Sequence, residues 1–333
     1  MRLSYVKLWK KKCKICGDKL IKKSFNKANN QIWYCKCCHR HYVFKRKDIR
    51  NKLWIYRYID FLLDNKKIKD FNVSKSTFYR KVSKFRNTNI FLLEDRQQYD
   101  QIFVDALWLK RKCCYLIART NENVIGFARY DSECFDSWLD FLKKFKPSKY
   151  VVCDGQNGLL KAIDKVWNKT LVQQCQFHII MNGRQKLTKH PKTIQGKQLR
   201  KLSLRISNIH SPSSAIRWGK DLKKFIESNL NYLLAKSSKD EQEWYTHKRV
   251  KSYAFQLLKV YSSGNLFRRV YENNLKLANT NNFLEGGINS PIRRLLSHHR
   301  RMKYEHQMQL IELYLFKRSK LYNLVKLGEH SET

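Results

Sequence analysis

The period of the apolar residues changes along the chain, and those changes divide it. In NKLWIYRYIDFLLDN (51 to 65), Leu53, Trp54, Tyr56, Ile59, Leu62 and Leu63 recur close to helical spacing. KIKDFNVSKSTFYRKVSKF follows. There Ile68 to Phe71 predict a short helix, Asn72 and Val73 a tight turn, and Ser74 the N-cap of a helix running to about Phe85. Helix, turn and helix in that order put Val73, Phe78 and Val82 inward and leave Lys75, Ser76, Tyr79 and Arg80 to face outward. An ordinary basic helical pair would read the same way. Residues 86 to 99 have a mixed character and read as a linker.

After the linker the pattern becomes strand-like. QIFVDALWLK (101 to 110), KCCYLIART (112 to 120) and NVIGFARY (123 to 130) are separated by only a few residues and predict an antiparallel meander. SECFDSWLDFLKKF then carries Phe135, Trp138, Leu139, Leu142 and Phe145 on one helical stripe. KYVVCDGQ (149 to 156) is a short β-branched run closed by Gly155, the mark of a strand buried on both faces. The helix NGLLKAIDKVW and the strand LVQQCQFHI complete the series. Three antiparallel strands, helix, strand, helix, strand is the order of an RNase H-like α/β fold with a mixed five-stranded sheet. From about Ile180 to Leu277 the chain reads as an all-helical, strongly basic insertion.

In that order the middle of the first strand and the end of the fourth are neighbours, and each carries an acid. Asp105 has Val104, Ala106 and Leu107 around it, where an uncompensated carboxylate costs several kcal/mol. Asp154 leaves the fourth strand at its carboxyl end, where open α/β sheets place ligand groups, although a lone Asp there could simply cap the next helix. Two such acids make a hard-oxygen site suited to Mg²⁺. A third candidate, Glu285, lies in TNNFLEGGIN, where Gly286 and Gly287 let backbone approach closely; alone it would read as a first-turn helix acid.

Cysteine spacing adds a separate module. Cys13 and Cys16 form one pair two residues apart, Cys35 and Cys38 another, with room for two short strands between, and this predicts a zinc ribbon holding one structural Zn²⁺. Cys37, His39 and His41 compete for the role of ligand. So small a module lacks a core, so the metal would supply its folding energy.

Charge decides the partner. Lys and Arg number 69 against 27 Asp and Glu in 333 residues, a net charge of +42. A compact monomer with that surplus repels itself unless a polyanion neutralises it, so nucleic acid is the expected partner. No stretch approaches the roughly 18 apolar residues of a membrane span, and the start of the chain has no signal-peptide pattern. A cytoplasmic or nucleoid-bound protein is the expectation, with no membrane partner. A small-molecule nucleotide substrate is not expected, since neither a Walker A sequence nor a dinucleotide-binding glycine pattern occurs. The run RRLLSHHRRMK would lay Arg293, Arg294, Arg300, Arg301 and Lys303 along a phosphate backbone. Trp218 and Trp244 in the insertion could stack on displaced bases, with core packing as the expected role of each.

The two CxxC pairs, the helix-turn-helix pattern, Asp105, VCDG with Asp154, a CxxH at Cys175 and His178, the helical insertion and TNNFLEGGIN with Glu285 run almost end to end. Together they resemble a DDE transposase of the Mutator-like superfamily, which includes many bacterial insertion-sequence transposases. Asn282 matches the family's Asn before the acid. The resemblance implies that Asp105, Asp154 and Glu285 hold two Mg²⁺ or Mn²⁺ ions for cleavage at terminal inverted repeats and transfer of the freed 3′-hydroxyl into target DNA. It also implies a structural or DNA-positioning role near the site for the CxxH residues Cys175 and His178, DNA binding for His178 and Asn282, and at least a homodimer, because two element ends are joined in concert. The expected domains are the ribbon (1 to 48), the helix-turn-helix (49 to 88), the core in two parts (99 to 180 and 279 to 325) and the insertion (181 to 278). A structure-specific nuclease of the same fold and a domesticated, non-cutting DNA-binding protein are the alternatives.

Overall fold

The structure is a computed structural model and describes residues 13, 15–26, 31–43, 47–64, 66–85, 97–239, 242–272, 277–298, 302–319 and 322. The chain separates into two compact units, one of residues 1–91 with 292–333 and one of residues 92–291.

The first unit opens on a three-stranded antiparallel sheet of β1 (Leu20–Phe25), β2 (Gln31–Cys35) and β3 (His41–Val43), with β2 central. Its core is small: Cys13, Leu20 and Cys35 are buried, with Trp33, Cys38 and Tyr42 packed against them. Helix α1 (Lys47–Leu63) and a 3-10 turn (Ile68–Phe71) lead to α2 (Lys75–Val82). Asn72 takes the left-handed conformation that ends the 3-10 turn, and the Ser74 hydroxyl accepts from Thr77 N–H at 3.3 Å to start α2. Fully buried Phe78 joins these elements, its ring 6.1 Å from Trp54, 5.0 Å from Phe61 and 5.5 Å from Phe71.

The second unit is built on a five-stranded sheet of β4 (Gln101–Leu109), β5 (Cys113–Arg119), β6 (Val124–Tyr130), β7 (Tyr150–Cys153) and β8 (Leu171–Gln174), in spatial order β6-β5-β4-β7-β8. The first three strands pair antiparallel, while β7 runs parallel to β4 and β8 parallel to β7. Such parallel neighbours need crossover helices. These are α3 (Phe135–Leu142) and α4 (Asn157–Val166), whose Trp138, Phe141, Leu142, Leu159 and Ile163 bury against Val104, Leu116, Val151 and Cys153. Both helices fall where the sequence predicts them. The fifth strand, however, is shorter than expected. It ends at Gln174: the bond from Cys175 N–H to Cys153 O at 2.7 Å is the last of the β7–β8 ladder, the next N–H, of Gln176, turns to Asn279 O at 3.0 Å, and Cys175 caps α5 (Gln176–Leu187).

Helices α5, α6 (Ile194–Arg205), α7 (Pro212–Ser228), α8 (Leu230–Leu234), α9 (Lys248–Ser262) and α10 (Arg268–Tyr271) enclose a second core centred on Trp218, Leu222, Tyr253 and Leu257. This insertion is not all-helical. Lys236–Lys239 (β9) and Gln242–Tyr245 (β10) form an antiparallel hairpin between α8 and α9. The stretch KSSKDEQEWY has no helical apolar period, and cross-strand pairing of Lys236 with Glu243 at 2.7 Å suits a ribbon instead. The two tryptophans diverge as well. Trp218 is in the core, with its Nε1 donating to Leu202 O at 2.9 Å, whereas Trp244 on the hairpin is 46 % exposed and not the core residue expected.

The chain then returns through α11 (Asn282–Leu284), a π-helical turn (Glu285–Asn289) and α12 (Ser290–His298), and ends its described helices with α13 (Tyr304–Lys317). Within the first unit α13 packs along α1: Tyr58 donates to Gln309 Oε1 at 3.2 Å, and Asp64 pairs with Lys317. No helix among the described residues is long and apolar enough to cross a membrane.

Candidate active site

Two registers bring the first two acids together. Phe103 of β4 pairs with Val152 of β7, so continuing the parallel register by two residues sets Asp105 opposite Asp154. Adjacent strands lie ~4.8 Å apart and side chains alternate in direction, so both carboxylates start from neighbouring points on one face. That face is the one turned away from the α3–α4 core, since Val104 and Cys153 belong to the core side. The charges are felt locally: burial, and then the Asp154 and Asp105 carboxylates, push the Cys153 thiol well above its ordinary value.

Asp105 is 6 % exposed. Its Oδ1 accepts from Ala106 N–H at 2.9 Å and its Oδ2 from Asn289 Nδ2 at 3.1 Å. Asp154 is half-buried, and its Oδ1 accepts from Gln156 N–H at 2.9 Å. The helix-capping role that a lone acid could have had here belongs to Gln156, whose Oε1 accepts from Leu159 N–H at 2.7 Å. Gly155 between them has φ +86, and a Cβ there would lie 2.6 Å from Gln174 Cδ, so the turn that presents Asp154 requires glycine.

The return segment closes over Asp105. Asn281, fully buried, donates from Nδ2 to Val104 O at 3.3 Å and from its backbone N–H to Cys175 Sγ at 3.0 Å. Eight residues later Asn289, also fully buried, reaches Asp105. Between them Glu285 opens the π-helical turn, one turn ahead of Asn289; π-helical turns often occur at functional sites. The two glycines differ. A Cβ on Gly287 would come within 3.2 Å of the Arg119 guanidinium, whereas Gly286 meets open space, so close approach is a property of Gly287 alone.

Sequence reasoning missed Asn281, Asn289 and Glu133. The Asn289 signal was present in EGGIN, because a polar residue four positions after Glu285 shares its helix face. Glu133, in the connection between β6 and α3, accepts from Trp108 Nε1 at 3.1 Å and Trp138 Nε1 at 3.4 Å. Burial pushes its carboxyl up, the two indoles pull it back, and the Asp154 charge adds to the rise.

The remaining expected residues fall into separate places. His178 lies in the first turn of α5, three residues beyond buried Cys175, and Asn282 is exposed at the start of α11. Lys75, Ser76 and Arg80 are exposed on α2, with Tyr79 half-buried. Arg293 and Arg294 are exposed on α12 and Lys303 precedes α13, while Arg300 and Arg301 lie outside the described residues.

The four cysteines do converge. The Sγ atoms of Cys13, Cys16, Cys35 and Cys38 lie within 4.8 Å of one another, with Cys13 and Cys38 at 3.3 Å and Cys16 and Cys35 at 3.4 Å. Sulfurs held ~2.3 Å from a tetrahedral zinc stand at comparable separations, so the donor set fits that ion. The Cys13 thiol is brought down to about 5: burial opposes ionisation, but the Tyr42 hydroxyl at 3.0 Å and nearby backbone N–H groups outweigh it. His39 bonds Tyr34 and His41 bonds Lys23, and Cys37 is exposed outside the cluster.

No curated protein matches this chain. Among protein families, the model described as "Transposase, Mutator family" matches residues 97–294, a span that takes in the whole sheet, the insertion and the return segment through Glu285 and Asn289. With more than half of its 333 residues inside that match, the chain belongs to the Mutator family of transposases.

Proposed function

We propose that the chain is a DDE transposase that cuts DNA at the terminal inverted repeats of an insertion sequence and joins the freed 3′-hydroxyl to target DNA. The observation that carries this reading is the register that sets Asp105 opposite Asp154, with the segment bearing Glu285 anchored on Asp105 through Asn289. An RNase H-like core that begins with residues 99 to 180 accords with three antiparallel strands followed by two parallel ones. Hard carboxylate oxygens on one face suit Mg²⁺ or Mn²⁺, and Asp105, Asp154 and Glu285 would hold two such ions. When bound, the pair would activate the attacking oxygen and stabilise the departing one in an in-line displacement. The protein's own part is orientation: Asn289 fixes the Asp105 carboxylate, and the Gly155 turn with the Gln156 N–H fixes Asp154.

The first unit would recognise the element ends. A zinc ribbon at Cys13, Cys16, Cys35 and Cys38 and a helix-turn-helix with α2 in the major groove account for the thiol cluster and for a helix whose outer face carries Lys75, Ser76, Tyr79 and Arg80. His178, Asn282, Arg293, Arg294 and Lys303 would add further DNA contacts, and a homodimer would pair the two ends. The test is incubation of wild type and Asp154→Asn with DNA carrying the flanks of the element and Mg²⁺. The substitution should leave DNA binding within about twofold and abolish strand cleavage. Equal cleavage by both proteins removes Asp154 from the chemistry.

A further inference from the structure

Strand β4 does not stop at the acids. Its pairing with β7 ends at Phe103, but its pairing with β5 continues to Leu109 opposite Cys113. A ribbon of roughly 13 Å therefore runs on beyond Asp105. At its tip Lys112 N–H donates to Leu109 O at 3.0 Å, and the two residues inside that turn, Lys110 and Arg111, have φ of +50 and +57. Tight hairpins usually give such left-handed positions to Asn and Gly, which adopt them without strain. Here two exposed cations occupy them, with exposed Lys112 next in line. Backbone strain kept at adjacent positions in exchange for charge points to a use for the charge.

The same ribbon carries Trp108, 43 % exposed. Its ring is pinned at one edge, since Nε1 donates to Glu133 Oε2 at 3.1 Å while Glu133 Oε1 accepts from fully buried Trp138 at 3.4 Å. The Glu133 carbonyl also accepts from Gln156 Nε2 at 3.3 Å, and the Gln156 N–H donates to Asp154 at 2.9 Å. An exposed indole is thus held in one orientation and linked by hydrogen bonds to the turn of the second acid. Orientation in advance lowers the entropy cost of binding a flat partner.

We propose that the β4–β5 tip holds an unpaired DNA strand at the edge of the sheet from which Asp154 emerges, with Trp108, which shares the α3–α4 face with Val104 and so lies on the side opposite Asp105, stacking on a nucleobase and Lys110, Arg111 and Lys112 neutralising the adjoining phosphates. An indole face accepts any base, but only one that has left its own stack, and the cationic tip supplies the sequence-independent part of the affinity. The inference rests on the transposase reading, in which the duplex must open at the cut. It assigns Glu133 a positioning role through Trp108.

The test uses the full chain without divalent metal, and reads fluorescence anisotropy with a labelled 20-nucleotide oligothymidylate and with a duplex of the same length. Trp108→Ala should weaken oligothymidylate binding about 5- to 160-fold, the range for loss of one stacked base, while changing duplex binding less than about twofold. Trp108→Phe should retain most of the affinity. The double variant Lys110→Asn with Arg111→Gly relieves the turn, so its melting temperature should rise. Yet its oligothymidylate binding should fall, with the slope of log K against log salt flattened by about 1.4 for two lost phosphate contacts. Undiminished affinity of folded Trp108→Ala, or an unchanged salt slope in the double variant, overturns the proposal. Cleavage is not read, so failure here leaves the transposase reading standing, and failure of the Asp154→Asn test leaves these binding results to decide the platform by themselves.

Discussion

The two main sheets are stabilised by different means. Among the described residues the three-stranded sheet has Cys13, Leu20 and Cys35 as its buried cluster, while the five-stranded sheet buries sixteen residues in one core on its α3–α4 side. Apolar burial at about 25 cal/mol per Å² can support the second sheet and cannot support the first. On the proposed reading, ligation of a metal by the four thiolates would be a condition of folding in one region, whereas in the other an ion would serve chemistry on a frame that stands without it. Metal ligands in the first region would then be structural; in the second they would be a burden on stability.

Metal removal should break this comparison most visibly. Chelation, or Cys35→Ser, should abolish amide-exchange protection over residues 20–43, since zinc binding of this kind carries ~10–16 kcal/mol of apparent folding energy. Protection in β4 and β5 should be unchanged. The reverse experiment is Phe141→Ala, which removes a fully buried ring from the sheet core. It should cost ~3–5 kcal/mol in urea denaturation of the sheet unit and leave zinc content at its original level. The smallest effect sharpens the contrast. Asp105→Asn replaces a buried charge by an isosteric amide, and should raise the stability of the sheet unit by about 1 kcal/mol in the same denaturation assay while strand cleavage disappears. A loss of stability would instead make Asp105 a structural residue.

Local patterns carried much of this molecule into the sequence. The alternation in QIFVDALWL, the run YVVC and the stripe through Trp138 and Leu142 each correspond to an observed element. Asp105 and Asp154 were legible because strand order alone makes their strands neighbours. What escaped depends on partners far along the chain. LVQQCQFHI reads as one strand, and only the turn of the Gln176 N–H to Asn279 O, far along the chain, shows where it stops. Of the adjacent Asn281 and Asn282, the exposed one fits the expected motif position, yet the buried one bonds Val104. The hairpin at Lys236–Tyr245 has no apolar face to announce it. Nor could periodicity reveal that α13 meets α1, because Gln309 to Phe316 are buried on every side of the helix and leave no single apolar stripe to read.

That last pairing has a consequence for biosynthesis. The sheet unit is drawn from one uninterrupted span, 92–291, whereas the other draws on both 1–91 and 292–333. On a ribosome, the sheet unit can be finished while α1 still waits for α13, a delay of several seconds or more at ~5–20 residues per second. Interrupted translation products would therefore keep the chemistry-bearing frame but leave the apolar side of α1 uncovered, marking them for degradation before they could engage a chromosome.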